Sequence, residues 1–425
     1  MNTEPTTPPF GVNLYGHLTS HVGLGVSARN TLRMLVANEI PVRTVDLPLP
    51  VATDSDLEVA RIVAENAEAG PFSINLFHIN PDTLRRLISP DSRERLELEG
   101  RLNVCVPFWE TERVPRSWLP TLSAMDVVLA PSTFVGAAVL ADLPGARVLP
   151  FPQAVFLPDA VAPNRARFGL PSDKLVFAAS FMPASGVERK DPSGMIEAFG
   201  RAFPDGTRAV LALRIGEASA THAGTVRVLR ELAAATPGVV LIEGPLDYAG
   251  VLALYASADA LVSLHRSEGL GLNIMEAMTL GVPVIATAWS GNMDFTTPET
   301  AALVRADLVP IDVPHSSPYH ASQTGVAGRW AQPDLDDAAR WMRRIADEPD
   351  LRARLSATGR ERMKAARETF MAGEIVGRLA EASAQLERNP GRAARFEALR
   401  RGHRGVMARY VLAGVVRRLR RAIGR

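Results

Sequence analysis

Residues 258–287 read ADALVSLHRSEGLGLNIMEAMTLGVPVIAT, and this stretch decides the class of fold. An apolar run with the length of a buried strand comes first, and a loop with Glu268 and glycines follows it. A helical pattern over residues 274–280 comes next, and Gly281 and Pro283 end it before a second apolar run. A strand, a crossover helix and another strand predict a parallel pair within an α/β sheet.

The same alternation extends over most of the chain, in two groups. The apolar runs are GVNLY, PVRTVDL, FSINLFHI, LNVCVPF, AMDVVLA and ARVLPFP, then KLVFAAS, RAVLALRIG, GVVLIEG, ADALVSLH, VPVIAT and AALVR. A proline-rich passage over residues 150–163 lies between the groups and is typical of a linker. We therefore predict two Rossmann-like, doubly wound domains facing each other across a cleft, which is where ligands bind in such folds. The predicted division is residues 1–160, residues 161–370, and a helical, basic tail of residues 371–425.

The composition narrows the possible classes of protein. Cys105 is the only cysteine among 425 residues, which excludes a disulfide framework and a cysteine-rich metal site. The first ten residues lack the pattern of a signal peptide, and no run of about 18 apolar residues predicts a membrane span. Asp54 and Asp56 have the spacing of a metal-binding pair, but they precede a helical pattern, so we expect a helix N-cap there. These features predict a cytoplasmic protein.

The charge is distributed unevenly. Residues 388–425 contain twelve arginines and one acid, Glu397, a net charge of +11 in a chain whose total is +1. The last 19 residues, 407–425, combine arginines with an apolar side, a pattern that suits the inner surface of an anionic membrane. A solvated tail is an equally good interpretation. The acidic remainder of the chain argues against nucleic acid as a partner.

The loop that contains Glu268 has the features of an anion site. Gly269 and Gly271 let backbone N–H groups approach a ligand, and the N-terminus of the following helix adds a partial positive charge. A diphosphate would fit there, while the carboxylates of Glu268 and Glu276 would accept hydrogen bonds from sugar hydroxyls. An alternative interpretation is a capping box, because Asn273 and Glu276 have its Asn-x-x-Glu spacing.

Two cations follow the first strand of the second group. Arg189 and Lys190 precede a helical pattern in a loop at the same sheet edge as the glutamate loop. Adjacent cations at that edge suit the charge of a diphosphate, although an exposed basic pair would look the same in the sequence.

Together these segments resemble the retaining GT-B glycosyltransferases of family four. In the second half the resemblance rests on ERKDPSGMIEAFGRAF (188–203), EGLGLNIMEAM (268–278) and WSGNMDF (289–295). In the first half it rests on GVNLYGHLTSHVGLGVSARN (11–30), PFWETERVPRSW (107–118) and APSTFV (130–135). It spans about residues 11–363.

The resemblance implies transfer of a hexosyl unit, with retention, from a GDP- or UDP-sugar to a glycan or lipid-linked acceptor. It implies no metal and no other cofactor. Arg189 and Lys190 would hold the diphosphate, Glu268 would contact the donor sugar, and Glu276 would hold the ribose hydroxyls. A sugar-nucleotide epimerase or phosphorylase on the same fold, and a non-catalytic sugar-nucleotide-binding or assembly protein, are the alternatives.

The resemblance also implies roles for the glycine loops. Leu270 and its two flanking glycines, Gly269 and Gly271, would offer amides to the sugar and the phosphates. Gly23 and Gly25 would line the cleft from the first domain.

The sequence departs from the family pattern in two places. Where many relatives carry an arginine before the basic pair, residues 181–185 read FMPAS, so either Arg189 takes that role or no residue does. On the acceptor side, where many carry a histidine, Glu110 is our candidate, with His78 as the alternative. His265, directly before the motif, would either touch the substrate or anchor the loop.

Overall fold

The computed structural model describes residues 8–49, 51, 56–88, 96–158 and 161–386, together with Arg392, Arg395, Phe396 and Leu399. Two parallel sheets of six strands each form the framework. The twelve apolar runs predicted from the sequence are the twelve strands of these two sheets.

The first domain is built on strands that follow the first six apolar runs. Its strands are β1 (Val12–Gly16), β2 (Val42–Asp46), β3 (Ile74–His78), β4 (Leu102–Cys105), β5 (Val127–Ala130) and β6 (Val148–Pro150). Its helices are α1 (Gly23–Ala37), α2 (Leu57–Glu65), α3 (Pro81–Leu87), α4 (Leu119–Ala124) and α5 (Thr133–Asp142). The strand order is β2-β1-β3-β4-β5-β6.

The second domain repeats this architecture. Its strands are β7 (Leu175–Phe181), β8 (Ala209–Ile215), β9 (Val239–Glu243), β10 (Ala260–Ser263), β11 (Val284–Thr287) and β12 (Ala302–Val304), in the order β12-β11-β10-β7-β8-β9. Its helices up to β12 are α6 (Val187–Lys190), α7 (Pro192–Ala202), α8 (Ala223–Ala235), α9 (Tyr248–Ala256) and α10 (Leu272–Leu280). All seven residues of β8 are buried, as expected of a central strand covered on both faces.

Side-chain caps fix the starts of several helices. In four helices the side chain of the N-cap residue accepts a hydrogen bond from a backbone N–H of the first turn. These N-cap residues are Asp56 of α2, Ser132 of α5, Asp191 of α7 and Asp247 of α9. The cap at Asp56 is the N-cap expected from the sequence, whereas Asp54 lies outside the described residues.

An antiparallel hairpin was not predicted from the sequence. Strands β13 (Ala306–Pro310) and β14 (Arg329–Pro333) pair with each other and enclose the short helix α11 (Ala321–Thr324). Trp330 and Tyr319 of this hairpin segment pack into a core that also contains Trp109 of the first domain. The hairpin therefore bridges the two domains on one side of the cleft.

The C-terminal helices return to the first domain. They are α12 (Leu335–Asp347), α13 (Pro349–Met371) and α14 (Glu374–Ala384). Leu351 at the start of α13 packs in the second domain, whereas Phe370 at its end and Leu379 of α14 pack in the core of the first. No helix of the described residues is long and apolar enough to cross a membrane.

The beginning of the basic tail also contacts the first domain. Arg392 donates hydrogen bonds to both carboxylate oxygens of Asp126, at 2.9 Å for each. Phe396 and Leu399 are buried in the same domain. The amphipathic segment predicted over residues 407–425 lies outside the described residues.

Candidate functional site

A cavity of about 510 Å³ lies between the carboxyl ends of the two sheets. Both domains line it, as the fold predicts. Nine of the eleven site residues predicted from the sequence line this cavity: Gly23, Glu110, Arg189, Lys190, Glu268, Gly269, Leu270, Gly271 and Glu276.

Two cations and one carboxylate form an ion cluster on the second-domain side. Lys190 Nζ forms a short ion pair with one carboxylate oxygen of Glu268, and Arg189 Nη1 lies 3.1 Å from the other. The side chain of Glu268 is only 9% exposed. Burial by itself would raise the pKa of Glu268, but Lys190 and Arg189 lower it to about 2. Glu268 is therefore ionised throughout the physiological range.

Arg189 also braces the two loops that form the floor of the cavity. It is 3% exposed, and its Nη1 and Nη2 donate to the carbonyl oxygens of Ser267 and Ser185 at 2.7 and 2.8 Å. Its own carbonyl accepts from the backbone N–H of Arg266 at 2.7 Å. Burial alone would lower the pKa of Arg189, yet Tyr319 and the neighbouring carboxylates raise it. Its terminal nitrogens are therefore largely occupied within the protein.

The glutamate loop is held by close backbone contacts. A Cβ at Gly269 would lie 2.8 Å from the carbonyl oxygen of Trp109 in the first domain, so the two domains approach each other directly there. Gly271 has a φ of +94°, which favours glycine. The backbone N–H of Glu268 donates to Ser290 Oγ at 2.8 Å. The loop geometry thus depends on the glycines as the sequence indicated.

Glu276 points into the cavity and does not form the predicted capping box. The N-cap of α10 is Gly271, without a side-chain cap, which places Asn273 inside the first helical turn. Glu276 is 5% exposed, and burial raises its pKa to about 8 despite the lowering influence of Tyr248, Lys190 and Arg214. A buried carboxyl that is mostly protonated at pH 7 is suited to hydrogen bonds with neutral hydroxyl groups.

Glu110 faces this cluster from the first domain. Its carboxylate accepts a hydrogen bond from the hydroxyl of Tyr319 at 3.2 Å, and Arg189 Nη2 lies 3.7 Å from its other oxygen. Burial raises the pKa of Glu110, while Arg189 opposes that change. The loop after β4 therefore places a carboxyl group with a raised pKa in the first-domain wall of the cavity.

Two helices begin at the cavity from opposite domains. Gly23 is the first residue of α1, and a Cβ placed there would lie 3.9 Å from the side chain of Leu272, the first residue of α10. The positive ends of both helices therefore meet at the same place, which favours a bound anion.

Three residues considered in the sequence analysis lie elsewhere. His265 is fully buried, with Nε2 3.0 Å from Asn292 Oδ1, so it anchors the loop and does not line the cavity. Gly25 packs inside the first domain, where a Cβ would lie 2.6 Å from the carbonyl oxygen of His17. His78 is buried, 3.0 Å from Ser27 Oγ, as a core histidine.

Several cavity residues were missed from the sequence. Arg214 lies near the carboxyl end of β8, and Tyr248 and Tyr255 of α9 line the cavity near Glu276. Arg214 had a signal, since it is the one charged residue within the apolar strand AVLALRI. No pattern in the sequence marks the two tyrosines, because helix α9 is apolar on all sides and does not indicate which side faces a ligand.

The domains are also linked beside the glutamate loop. Ser132 Oγ donates to the carbonyl oxygen of Gly269 at 2.6 Å, and the backbone N–H of Thr133 donates to Asp294 Oδ2 at 2.7 Å. The APSTFV segment therefore supplies a cap for α5 and a contact with the opposite domain at once.

The part of the chain that the structure describes contains no group of three or more His, Cys, Asp or Glu side chains placed to hold a metal ion.

Residues 180–307 match the protein family described as Glycosyl transferases group 1. This segment contains the cations Arg189 and Lys190 and both glutamates of the cavity, Glu268 and Glu276. The similarity to this family therefore lies within the second domain. No curated protein matches the chain in sequence.

Several solved structures have a similar fold. Sucrose-phosphate synthase from Thermosynechococcus elongatus matches with a TM-score of 0.59 and 18% identity, over 88% of this chain and 100% of that chain. The α,α-trehalose 6-phosphate synthase from Burkholderia multivorans matches with a TM-score of 0.57 and 13% identity, over 89% and 100%. HepE from Anabaena, solved with UDP and glucose, matches with a TM-score of 0.55 and 14% identity, over 88% and 100%. At these identities the likeness shows the fold, which is GT-B.

Proposed function

We propose that this protein is a retaining glycosyltransferase of family four that moves a hexosyl unit from a GDP- or UDP-sugar to a glycan or lipid-linked acceptor. The observation that carries the proposal is the cavity in which Lys190, Glu268 and Glu276 meet two helix N-termini. Cations and helix ends suit a diphosphate, and the two carboxyl groups suit hydroxyl groups on either side of it.

In this proposal the protein acts by positioning and by electrostatic stabilisation. Lys190 and the amides of residues 269–271 stabilise the negative charge that develops on the departing diphosphate. Glu268 orients the donor sugar, and its ion pairs with Lys190 and Arg189 hold that carboxylate in place. Glu276 holds the ribose, and Glu110 faces the acceptor side. No metal or other cofactor takes part.

The test is nucleotide release from UDP-glucose, UDP-N-acetylglucosamine and GDP-mannose, measured with and without oligosaccharide or lipid-linked acceptors. Lys190→Ala is expected to lower acceptor-dependent release by about 100- to 1,000-fold, because one transition-state donor is lost. Lys364→Ala, at a side chain 64% exposed, is the matched control and should retain full activity. Binding of a nucleotide sugar without release in any condition would instead favour a non-catalytic binding protein.

Two further measurements address the finer parts of the proposal. The anomeric configuration of the product, read by NMR, should equal that of the donor, and inversion would refute retention. Turnover should persist after treatment with a chelator, and a loss restored by added divalent metal would refute metal-independent transfer.

The basic tail belongs to the same proposal as a peripheral membrane contact on the cytoplasmic side. Because Phe396 and Leu399 are packed in the first domain, the truncation should begin after them, at residue 402. The full chain is expected to sediment with vesicles that contain anionic lipid, and the truncated chain is not. Equal sedimentation of both would overturn the membrane contact and leave transferase activity unaffected.

A further inference from the structure

Arg214 is a buried cation of the cavity that forms no ion pair with any of the described residues. It is the sixth residue of β8 and 5% exposed, and it lines the cavity. Its Nη1 lies 3.3 Å from Ser180 Oγ and 3.8 Å from Met182 Sδ, and its Nε is buried without a hydrogen-bond partner. Burial lowers the pKa of Arg214, and Glu217 and Glu276 oppose that change electrostatically without forming an ion pair with it.

Such an arginine is costly for the folded protein. A buried charge is normally paired, because desolvation is not otherwise compensated. The other two cations of the cavity do not share this condition, since Arg189 and Lys190 both contact Glu268. An apolar residue would complete the apolar strand β8 without that cost. We therefore expect a ligand to provide the anionic group that pairs with Arg214.

The surroundings of Arg214 indicate which part of a ligand it meets. Lys190 and Arg214 both act electrostatically on Glu276, so the three groups lie near one another. Met182, which Arg214 contacts, directly follows β7. The guanidinium thus lies against the end of β7.

We propose that Arg214 binds the diphosphate of the nucleotide donor, adding a cation from β8 to the two, Arg189 and Lys190, that follow β7. The inference rests on the proposed function and extends it by a residue outside the recognised motif. A guanidinium presents a planar fork that matches two oxygens of a phosphate, which is stronger and more directional than a point charge. Lys190 and Arg214 together then hold the diphosphate, while Arg189 braces the loops.

The test compares Arg214→Met, Arg214→Lys and the wild type in binding to nucleoside diphosphates and nucleosides. Calorimetry gives Kd for UDP and GDP, and competition against the tighter of the two gives Kd for uridine and guanosine. Arg214→Met is expected to weaken diphosphate binding by about tenfold to a hundredfold, with nucleoside binding changed little. Arg214→Lys should lose less diphosphate affinity than Arg214→Met, because lysine keeps the positive charge but not the planar guanidinium group. Arg208→Met, on an exposed arginine directly before β8, is the matched control.

The stability of the unliganded protein separates this role from a structural one. Removal of a buried cation without a partner should leave the melting temperature unchanged or raise it, whereas removal of a structural arginine lowers it. Equal loss of nucleoside and diphosphate affinity, or unchanged diphosphate affinity in Arg214→Met, would overturn the inference alone. Failure of the wild type to bind either diphosphate would overturn the proposed function together with it.

Discussion

Glu268 and Glu276 lie in one cavity, and replacement of each by glutamine should change stability in opposite directions. The fall in the pKa of Glu268 from 4.5 to about 2 corresponds to about 3 kcal/mol of stabilisation at pH 7. Because its folded pKa lies below the unfolded value, that contribution is complete above pH 4.5 and is lost as the pH falls towards 2. Glu268→Gln should therefore lower the free energy of unfolding by about 3 kcal/mol at pH 7, since it leaves Arg189 and Lys190 without their carboxylate.

For Glu276→Gln the expected change in the free energy of unfolding has the opposite sign. Its pKa rises from 4.5 to about 8, so its favourable contribution is complete below pH 4.5 and is lost as the pH rises through 8. At pH 7 the cost of keeping this carboxyl buried is about 3 kcal/mol relative to the unfolded chain. Glu276→Gln removes that cost and should raise the free energy of unfolding by a comparable amount, with the difference from wild type vanishing as the pH falls to 4.5.

The assay is equilibrium urea unfolding of the three proteins without ligand, followed by tryptophan fluorescence at several pH values. The two glutamines are isosteric with the residues that they replace, so differences in packing are small. Changes of the same sign in both variants, or changes below about 1 kcal/mol in both, would show that the burial and ion pairing described above do not control these carboxyl groups.

Three further variants test single contacts. Gly269→Ala should destabilise the protein by about 1–3 kcal/mol in urea unfolding, because its Cβ would meet the Trp109 carbonyl oxygen, whereas Gly145→Ala, with no atom within 4 Å, should not. Ser132→Ala should cost about 1–2 kcal/mol in the same assay, through loss of the α5 cap and of the hydrogen bond to Gly269, and a cost near zero would contradict the interdomain contact. Tyr319→Phe removes a hydrogen bond that lowers the pKa of Glu110, so infrared titration of that carboxyl should show a higher pKa, and an unchanged pKa would contradict the contact.

The sequence predicted the sheets because each buried strand is a short apolar run between polar helical segments, and that pattern is local. The hairpin β13–β14 was not predicted, and the reason is physical. Its strands are separated by 18 residues, and only a few of its side chains, such as Trp330, are buried. Its partner is the first domain, so nothing in its own sequence marks it as part of a core.

The residues of the candidate site likewise fall into two groups, those that the sequence predicted and those that it did not. Gly269, Gly271 and the two glutamates belong to one contiguous loop and helix, and their spacing alone brought them together. Arg214 lines the cavity from β8, and Tyr319 of the hairpin segment contacts the cavity residue Glu110; only the folded topology shows this proximity. The capping-box interpretation of Glu276 failed because the helix begins earlier, at Leu272, where Gly271 adopts a left-handed conformation.

Arg214 and Glu276 lie in the same cavity, and both are buried. Arg189, Lys190 and Arg214 are cationic, Glu268 is the carboxylate that the cations keep ionised, and Glu276 is mostly protonated at pH 7. Glu110 and Glu217 line the same cavity, so the charge that lacks an ion pair is that of Arg214 and not the charge of the cavity as a whole. Arg214 and Glu276 both make the unliganded protein less stable than apolar or neutral replacements would, and such costs concentrate at functional sites. A diphosphate next to Glu276 would further favour its protonated form and would give Arg214 the partner that it lacks. The same ligand would thus pair with Arg214 and act on the protonation of Glu276, which is why we assign both residues to one binding event.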